Sequence, residues 1–243
     1  MELHVFPNDK ILSSCLADWI AHLIHRTLDN NAYFSMALSG GSTPKSLFRE
    51  LADNQEIYNI DWEKVVVFWG DERVVPFSDE RNNAGMAYTI LLNKIPILPK
   101  NIYRMRTDIS PEQAVEEYDH LLRHFFKKDE MTFDLVLLGM GDDGHTLSLF
   151  PGSDAISDAT SWVREVYNKE QKMYRITLMP AIVNRSRKIA FMIAGENKSS
   201  ILKNVLEDSY QPDIYPSQLI IKNREDIDLF LDNDAASQIK TVV

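Results

Sequence analysis

The residues best able to do chemistry sit close together in Gly139-Met140-Gly141-Asp142-Asp143-Gly144-His145-Thr146, directly after an apolar run. A histidine in a glycine-rich turn has little apolar surface to pack against, which argues against a satisfied core histidine. Imidazole is the side chain poised near neutral pH to accept and return a proton. Asp142 or Asp143 could orient His145, or merely cap the turn. A second polar segment, Gly70-Asp71-Glu72-Arg73, also follows an apolar run. Its charges are costly to place there unless they face a polar cleft, the alternative being a surface salt bridge. Arg73 offers the planar fork suited to an anion or an oxyanion.

Two further segments suit phosphate. In Ser39-Gly40-Gly41-Ser42-Thr43-Pro44 the glycines allow a ligand close to the backbone, Ser42 or Thr43 can cap a following helix, and Pro44 fits its first position. Free amides at a helix N-terminus make an anion site, although the same residues could form a tight turn that binds nothing. The Gly-Lys-Ser/Thr ending of a Walker loop is missing. In Gly195-Glu196-Asn197-Lys198 the lysine could reach a phosphate or be a solvated first-turn residue.

These segments need elements to position them. Residues 9–30 read as a helix in which Ile11, Cys15, Asp18/Trp19 and His22/Leu23 step at three to four. Residues 33–38 read as a buried strand, and 44–52 as a helix presenting Leu47, Phe48 and Leu51. Val65–Trp69 is apolar throughout, as in a parallel strand covered on both faces. Helices are expected over 83–94, 111–127 and 197–207. Strands are expected over 133–138, 175–178, 189–193 and, last, 219–221. The alternation predicts one α/β domain over residues 1–243, with a mostly parallel, Rossmann-like sheet flanked by helices. Ligands of such sheets bind outside the carboxyl ends of the strands. The loops after Leu38, Trp69, Leu138 and Ile193 are the four polar segments above.

Composition narrows the partners. With 36 acidic and 26 basic residues the formal charge is -10, and no basic stripe suits nucleic acid. An anionic substrate would need a local positive site against this field. Cys15 is the lone cysteine, expected buried among Leu12, Leu16 and Trp19. No secretory signal or membrane span is evident, so cytoplasm is the expected compartment. The helical pairs His22/His25 and His120/His124 lack a metal-binding context and are expected to be exposed helix residues. Neither a G-x-S-x-G elbow nor a dinucleotide fingerprint with its ribose-binding acid is present.

In order along the chain, from Ser39 to about Leu206, these segments resemble 6-phosphogluconolactonase of the pentose phosphate pathway. The most specific is Gly141-x-Asp143-Gly144-His145-Thr146-x-Ser148-Leu149-Phe150-Pro151-Gly152. Next come Trp69-x-Asp71-Glu72-Arg73 with Asn83 and Met86, then the Ser39–Pro44 run, Gly195-x-x-Lys198, and Arg175-Ile176-Thr177-Leu178. Leu147 stands where the family more often has alanine, and Met179 where a second threonine is common, which bears on pocket shape.

The resemblance implies a fold shared with glucosamine-6-phosphate deaminase and ribose-5-phosphate isomerase. The deaminase is the rival reading, but its acidic loop typically reads Met-Asp-Glu-Tyr where this chain has Arg73 after Asp71 and Glu72. Its histidine precedes an isoleucine and an Asn-Glu-Pro-Gly run. The implied reaction is hydrolysis of a phosphorylated lactone without cofactor or metal. Gly40, Gly41, Ser42, Thr43 and Lys198 would hold the phosphate, His145 would act as base and Arg73 would steady the oxyanion. Asp71 and Asp143 would tune or orient these two. Ser39, Asn83, Gly144, Thr146 and Arg175 fall in or beside shared segments as further contacts. The only expected partner is the small-molecule lactone, with the chain a monomer or small homo-oligomer. A sugar-phosphate sensor that kept the fold without the chemistry is the reading from another class, disfavoured by the presence of His145 and Arg73.

Overall fold

Val65–Trp69 is buried along its whole length, and its side chains alternate between two cores: Val65, Val67 and Trp69 enter one, Val66 and Phe68 the other. That alternation requires a sheet covered on both faces. The computed structural model describes residues 1–127 and 131–240. In chain order its elements are β1 (Glu2–Phe6), α1 (Asp9–Leu28), β2 (Phe34–Leu38), α2 (Pro44–Asp53), α3 (Gln55–Tyr58), β3 (Val65–Trp69), β4 (Asp71–Arg73), α4 (Asn83–Ala87), α5 (Pro111–Phe125), β5 (Leu135–Leu138), β6 (Val163–Asn168), β7 (Met173–Leu178), α6 (Pro180–Val183), β8 (Lys188–Ile193), α7 (Ser199–Glu207), α8 (Gln218–Ile221), β9 (Ile227–Asp232) and α9 (Asn233–Ala236).

Six strands form one wholly parallel sheet in the order β1-β9-β8-β5-β2-β3. A separate antiparallel sheet, β4-β7-β6, stands beside it. Helices α1 and α2 supply one core, and α5 and α7 the other. The expected α/β class with a mostly parallel sheet is therefore observed.

Several local expectations give way. Residues 175–178 belong to β7 in the antiparallel sheet, pairing with β4 rather than with the parallel strands. Residues 219–221 are helical within α8; a three-residue apolar run has no periodicity to tell strand from helix, and the Gln218 side chain fixes the turn. Its Nε2 donates to Val205 O at 3.1 Å, and its Oε1 accepts from Gln211 N at 2.6 Å. The last strand is β9, whose aspartates concealed it: Asp232 caps α9 through Ala235 N at 2.8 Å and accepts from Gly195 N at 3.0 Å. In α1 the buried stripe is Leu12, Leu16, Ile20 and Ile24. The period was legible, but the face was set by the sheet. Cys15 consequently lies half-buried rather than buried. The helix expected over 83–94 is α4 followed by a π-turn over Tyr88–Leu92.

The edge strand β3 is sealed by a side chain. Trp69 N donates to Tyr118 Oη at 3.0 Å, and Tyr118 Oη donates to Trp69 O at 3.2 Å. Both backbone groups face away from β2 and would otherwise be buried without a partner. Tyr118→Phe is expected to lose about 1–3 kcal/mol of stability, lowering the thermal midpoint by roughly 2–4 °C per kcal/mol. Unfolding followed by circular dichroism checks this. An unchanged midpoint would mean that the strand end finds another partner.

Candidate active site

After β2 the chain moves outward to β3, and β5 then pairs on the other side of β2. The crevice above this reversal is where the expected loops meet. A cavity of about 380 Å³ is lined by Ser39, Gly40, Gly41, Ser42 and Thr43 after β2, by Asp71 and Arg73 of β4, by Gly141, Asp142 and His145 after β5, and by Lys198 after β8. Arg175 from β7 closes one side.

His145 is fixed from behind. Its Nδ1 lies 2.5 Å from Asp143 Oδ1, and its backbone N donates to the same oxygen at 3.1 Å. A carboxylate only accepts, so the proton belongs on Nδ1 and the lone pair on Nε2. Burial pushes the Asp143 carboxyl up, but its hydrogen bonds from His145 outweigh this and hold it below the usual carboxylate range. Phe150 packs against the ring at 4.7 Å between centroids. Gly141 is required here, because a Cβ would sit 2.1 Å from His145 Nδ1.

The arginines stand on a buried acidic layer. Arg175, 4% exposed, places Nη1 3.6 Å from Asp71 Oδ2 and donates from Nη2 to Gln171 Oε1. Burial lowers its pKa to about 10, and Arg73 adds repulsion while Asp71 opposes the shift. Asp71 also accepts from Ser148 Oγ at 2.7 Å. Arg73 donates from Nη1 to Arg81 O at 2.8 Å, and among the described residues its buried Nε has no partner. Glu72 is fully buried; it accepts from Arg73 N and Asn83 N at 2.7 Å and from Ala84 N at 2.8 Å. These bonds tie β4 to the start of α4, and α4 presses Asn83 onto the loop after β2. A Cβ on Gly40 would meet Asn83 Oδ1 at 2.0 Å, so only glycine fits there.

At the far wall Lys198 Nζ pairs with the Asp142 carboxylate, which also accepts from Asn197 Nδ2 at 3.0 Å. The lysine holds the Asp142 carboxyl below its usual range. Pro44 begins α2 as expected, but neither Ser42 nor Thr43 caps it by a side-chain hydrogen bond. Lys45 N donates to Ser42 O at 3.2 Å, and the amides of the Gly40–Thr43 loop before it are open to an external acceptor.

The family model described as glucosamine-6-phosphate isomerases/6-phosphogluconolactonase matches residues 7–229. The chain belongs to this family. It is similar to a 6-phosphogluconolactonase of Synechocystis, 34% identical over 98% of each chain. It is also similar to the solved structure of 6-phosphogluconolactonase from Trypanosoma brucei, with a TM-score of 0.85, 25% identity and 97% of each chain covered. A monomeric glucosamine-6-phosphate deaminase shares the fold alone, at a TM-score of 0.84 and 17% identity over 98% of this chain and 100% of that one.

Within this family fold, the expected site residues divide. Asn83, Gly144 and Thr146 lie behind the cavity wall and not on it. Asn83 Nδ2 donates to Asp71 O at 2.9 Å, and Thr146 Oγ1 to Gly139 O at 2.8 Å. Asp143, not Asp71 or Asp142, bonds His145, while Asp71 braces Arg175 rather than Arg73. Glu72, Phe150 and Gln171 were assigned no site role; Phe150 follows His145 on the loop after β5, Glu72 lies beneath the wall, and only the β6–β7 hairpin paired with β4 brings Gln171 to the cavity. Leu147 lines the cavity with φ at 57°, unusual outside glycine, and packs on Gly70, where a Cβ would meet its Cδ2 at 2.8 Å. His120 and His124 are exposed, as expected. Among the described residues one group could present metal ligands together: Glu2, His4 and Asp228, at the opposite, amino ends of the strands. His4 Nε2 and Lys188 Nζ already contact Asp228 at 3.1 and 3.2 Å.

Burial raises the Glu72 carboxyl from 4.5 to about 7, against the pull of its three backbone amides. An acid whose folded pKa is raised stabilises the fold most below its unfolded pKa, and that contribution fades as pH rises through the folded value. The stability of the native protein relative to Glu72→Gln is therefore expected to fall by about 3 kcal/mol as pH rises between those limits. Urea unfolding of both proteins across this window tests it. A pH-independent difference would mean that the amide donors keep Glu72 ionised throughout.

Proposed function

We propose that this chain hydrolyses 6-phospho-D-glucono-1,5-lactone to 6-phospho-D-gluconate, in the cytoplasm, with the whole chain acting as one catalytic unit. One observation carries the reading. His145, backed by Asp143, borders the same 380 Å³ cavity as the two arginines and an open amide loop with Lys198. The family membership and the names of the similar proteins support the same substrate.

The 6-phosphate sits on the amides of Gly40, Gly41, Ser42 and Thr43. Lys198 exchanges Asp142 for the phosphate, bringing positive charge into an acidic protein. The lactone carbonyl lies between His145 and the guanidinium groups. Nε2 of His145 takes a proton from water as its oxygen attacks the carbonyl carbon, and Asp143 stabilises the imidazolium that forms. Arg73, with Arg175 beside it, holds the oxyanion. As the tetrahedral intermediate collapses, the bond from C1 to the ring oxygen breaks and His145 returns its proton to that oxygen. An activated ester needs only this base and this electrostatic clamp, so the reaction is read as free of metal and cofactor.

His145→Ala is expected to lower turnover roughly 10²- to 10⁴-fold, measured above the spontaneous hydrolysis of the lactone, with substrate binding retained. The rate of the native enzyme should rise with pH along a limb assignable to a histidine. Full activity in His145→Ala would refute the mechanism and leave the substrate standing. Ammonia release from glucosamine-6-phosphate would point to a deaminase instead. Tight sugar-phosphate binding without turnover would point to a sensor.

Lys198→Ala should raise KM more than it lowers kcat, since a contact remote from the reacting carbonyl supplies mainly binding. Unchanged kinetics would remove Lys198 from the phosphate site.

A further inference from the structure

On the outer side of α2 a second groove, of about 770 Å³, is larger than the catalytic cavity and has a different character. Three cations border it: Lys45 and Arg49, one helical turn apart on α2, and Arg104. Among the described residues none of the three forms a salt bridge or a side-chain hydrogen bond; Arg104 instead lies 5.1 Å over the Phe77 ring. Unpaired cations gathered on one groove are unusual in a chain of net charge -10. Of the acids there, Asp79 is occupied by Arg81 through two hydrogen bonds of 2.8 and 2.7 Å, which leaves Glu80.

Between these cations lies an aromatic surface. Phe77 is 41% exposed, and its ring meets Tyr88 edge-to-face at 5.4 Å. Met86 and Ile90 extend the apolar floor. Tyr88 opens the π-turn over Tyr88–Leu92, and such turns are frequent at functional sites. The groove's size falls within the usual range for small-molecule sites.

We propose that this groove binds a free nucleotide. The base stacks on the exposed Phe77 ring with Tyr88 and the Arg104 guanidinium beside it, the phosphates lie on Lys45 and Arg49, and Glu80 accepts from the ribose hydroxyls. A second sugar phosphate would leave the aromatic surface unused. A nucleic-acid polymer would meet the repulsion of the acidic surface beyond the groove. The groove adjoins the catalytic cavity across the first turn of α2, where Pro44 faces one and Lys45 the other.

Calorimetric titration with metal-free ATP, with inorganic tripolyphosphate and with adenosine tests the assignment. ATP is expected to bind with a dissociation constant below about 1 mM, the weak end of specific binding, and equally well to Lys198→Ala. The double variant Arg49→Glu, Arg104→Glu should weaken binding at least roughly tenfold, a loss of about 1.4 kcal/mol, while lactone turnover and the thermal midpoint stay unchanged. Phe77→Ala should weaken ATP without affecting tripolyphosphate, and adenosine should bind least. Absence of binding, or binding undiminished by the charge reversal, overturns the site. Loss of binding in Lys198→Ala would put ATP in the catalytic cavity and also overturns it. Tripolyphosphate binding as tightly as ATP, with Phe77→Ala neutral, would leave an anion site only and overturn the nucleotide. None of these outcomes bears on lactone hydrolysis, which is measured separately.

Discussion

The reversal of strand order at β2 is the constraint on which the site depends. Because β3 and β5 pair on opposite sides of β2, the connections after β2 and β5 diverge and leave a crevice above their carboxyl ends. The crevice is narrow, and close approach dictates the residues around it. Asn83 fills the space that a Cβ of Gly40 would need, and His145 fills that of Gly141. The small antiparallel sheet then brings Arg175 across to face Arg73. The charged groups of the site thus come from chain segments far apart, and the two sheets set their separation.

Placing so much charge in the interior has a cost that the surrounding bonds must offset. Asp71, Glu72 and Arg175 are all buried, and ionised groups removed from water lose several kcal/mol each unless paired or hydrogen-bonded. Asp71 receives Ser148 and Arg175, and Glu72 receives three backbone amides. The partial exceptions are the Nε atoms of Arg73 and Arg175, buried without a partner among the described residues. Both donors lie beneath the cavity surface rather than on it.

The two ends of the cavity manage charge differently. At His145 the carboxylate lies behind the ring, so it orients the base without entering the cavity. At Lys198 the carboxylate of Asp142 lies on the wall itself, where under the proposed function an incoming phosphate would compete for the same ammonium. In the proposed mechanism the first pairing would stay and the second would exchange, as suits a base that keeps its geometry and a binding group that releases its product.

Much of this was legible in the residues alone, for identifiable reasons. Apolar runs such as Val65–Trp69 marked the central strands because both faces of a parallel sheet must be apolar. The glycine-rich and charged loops marked the site because polar groups at strand ends need a cleft. His145, Arg73, Lys198 and the residue 39–43 loop followed from local composition, as did the family resemblance. Tertiary structure decided what no local pattern encodes. It turned α1 onto its Leu12–Ile24 stripe, hid β9 behind its two aspartates and made residues 219–221 helical. It also chose Asp143 as the partner of His145 and Arg175 as that of Asp71, and set Asn83 behind the wall. Local sequence carries period and chemical type, which short-range sterics and hydration determine. Partner choice and helix face depend on which distant segments the sheet brings within a few ångströms, and only the folded chain supplies that distance.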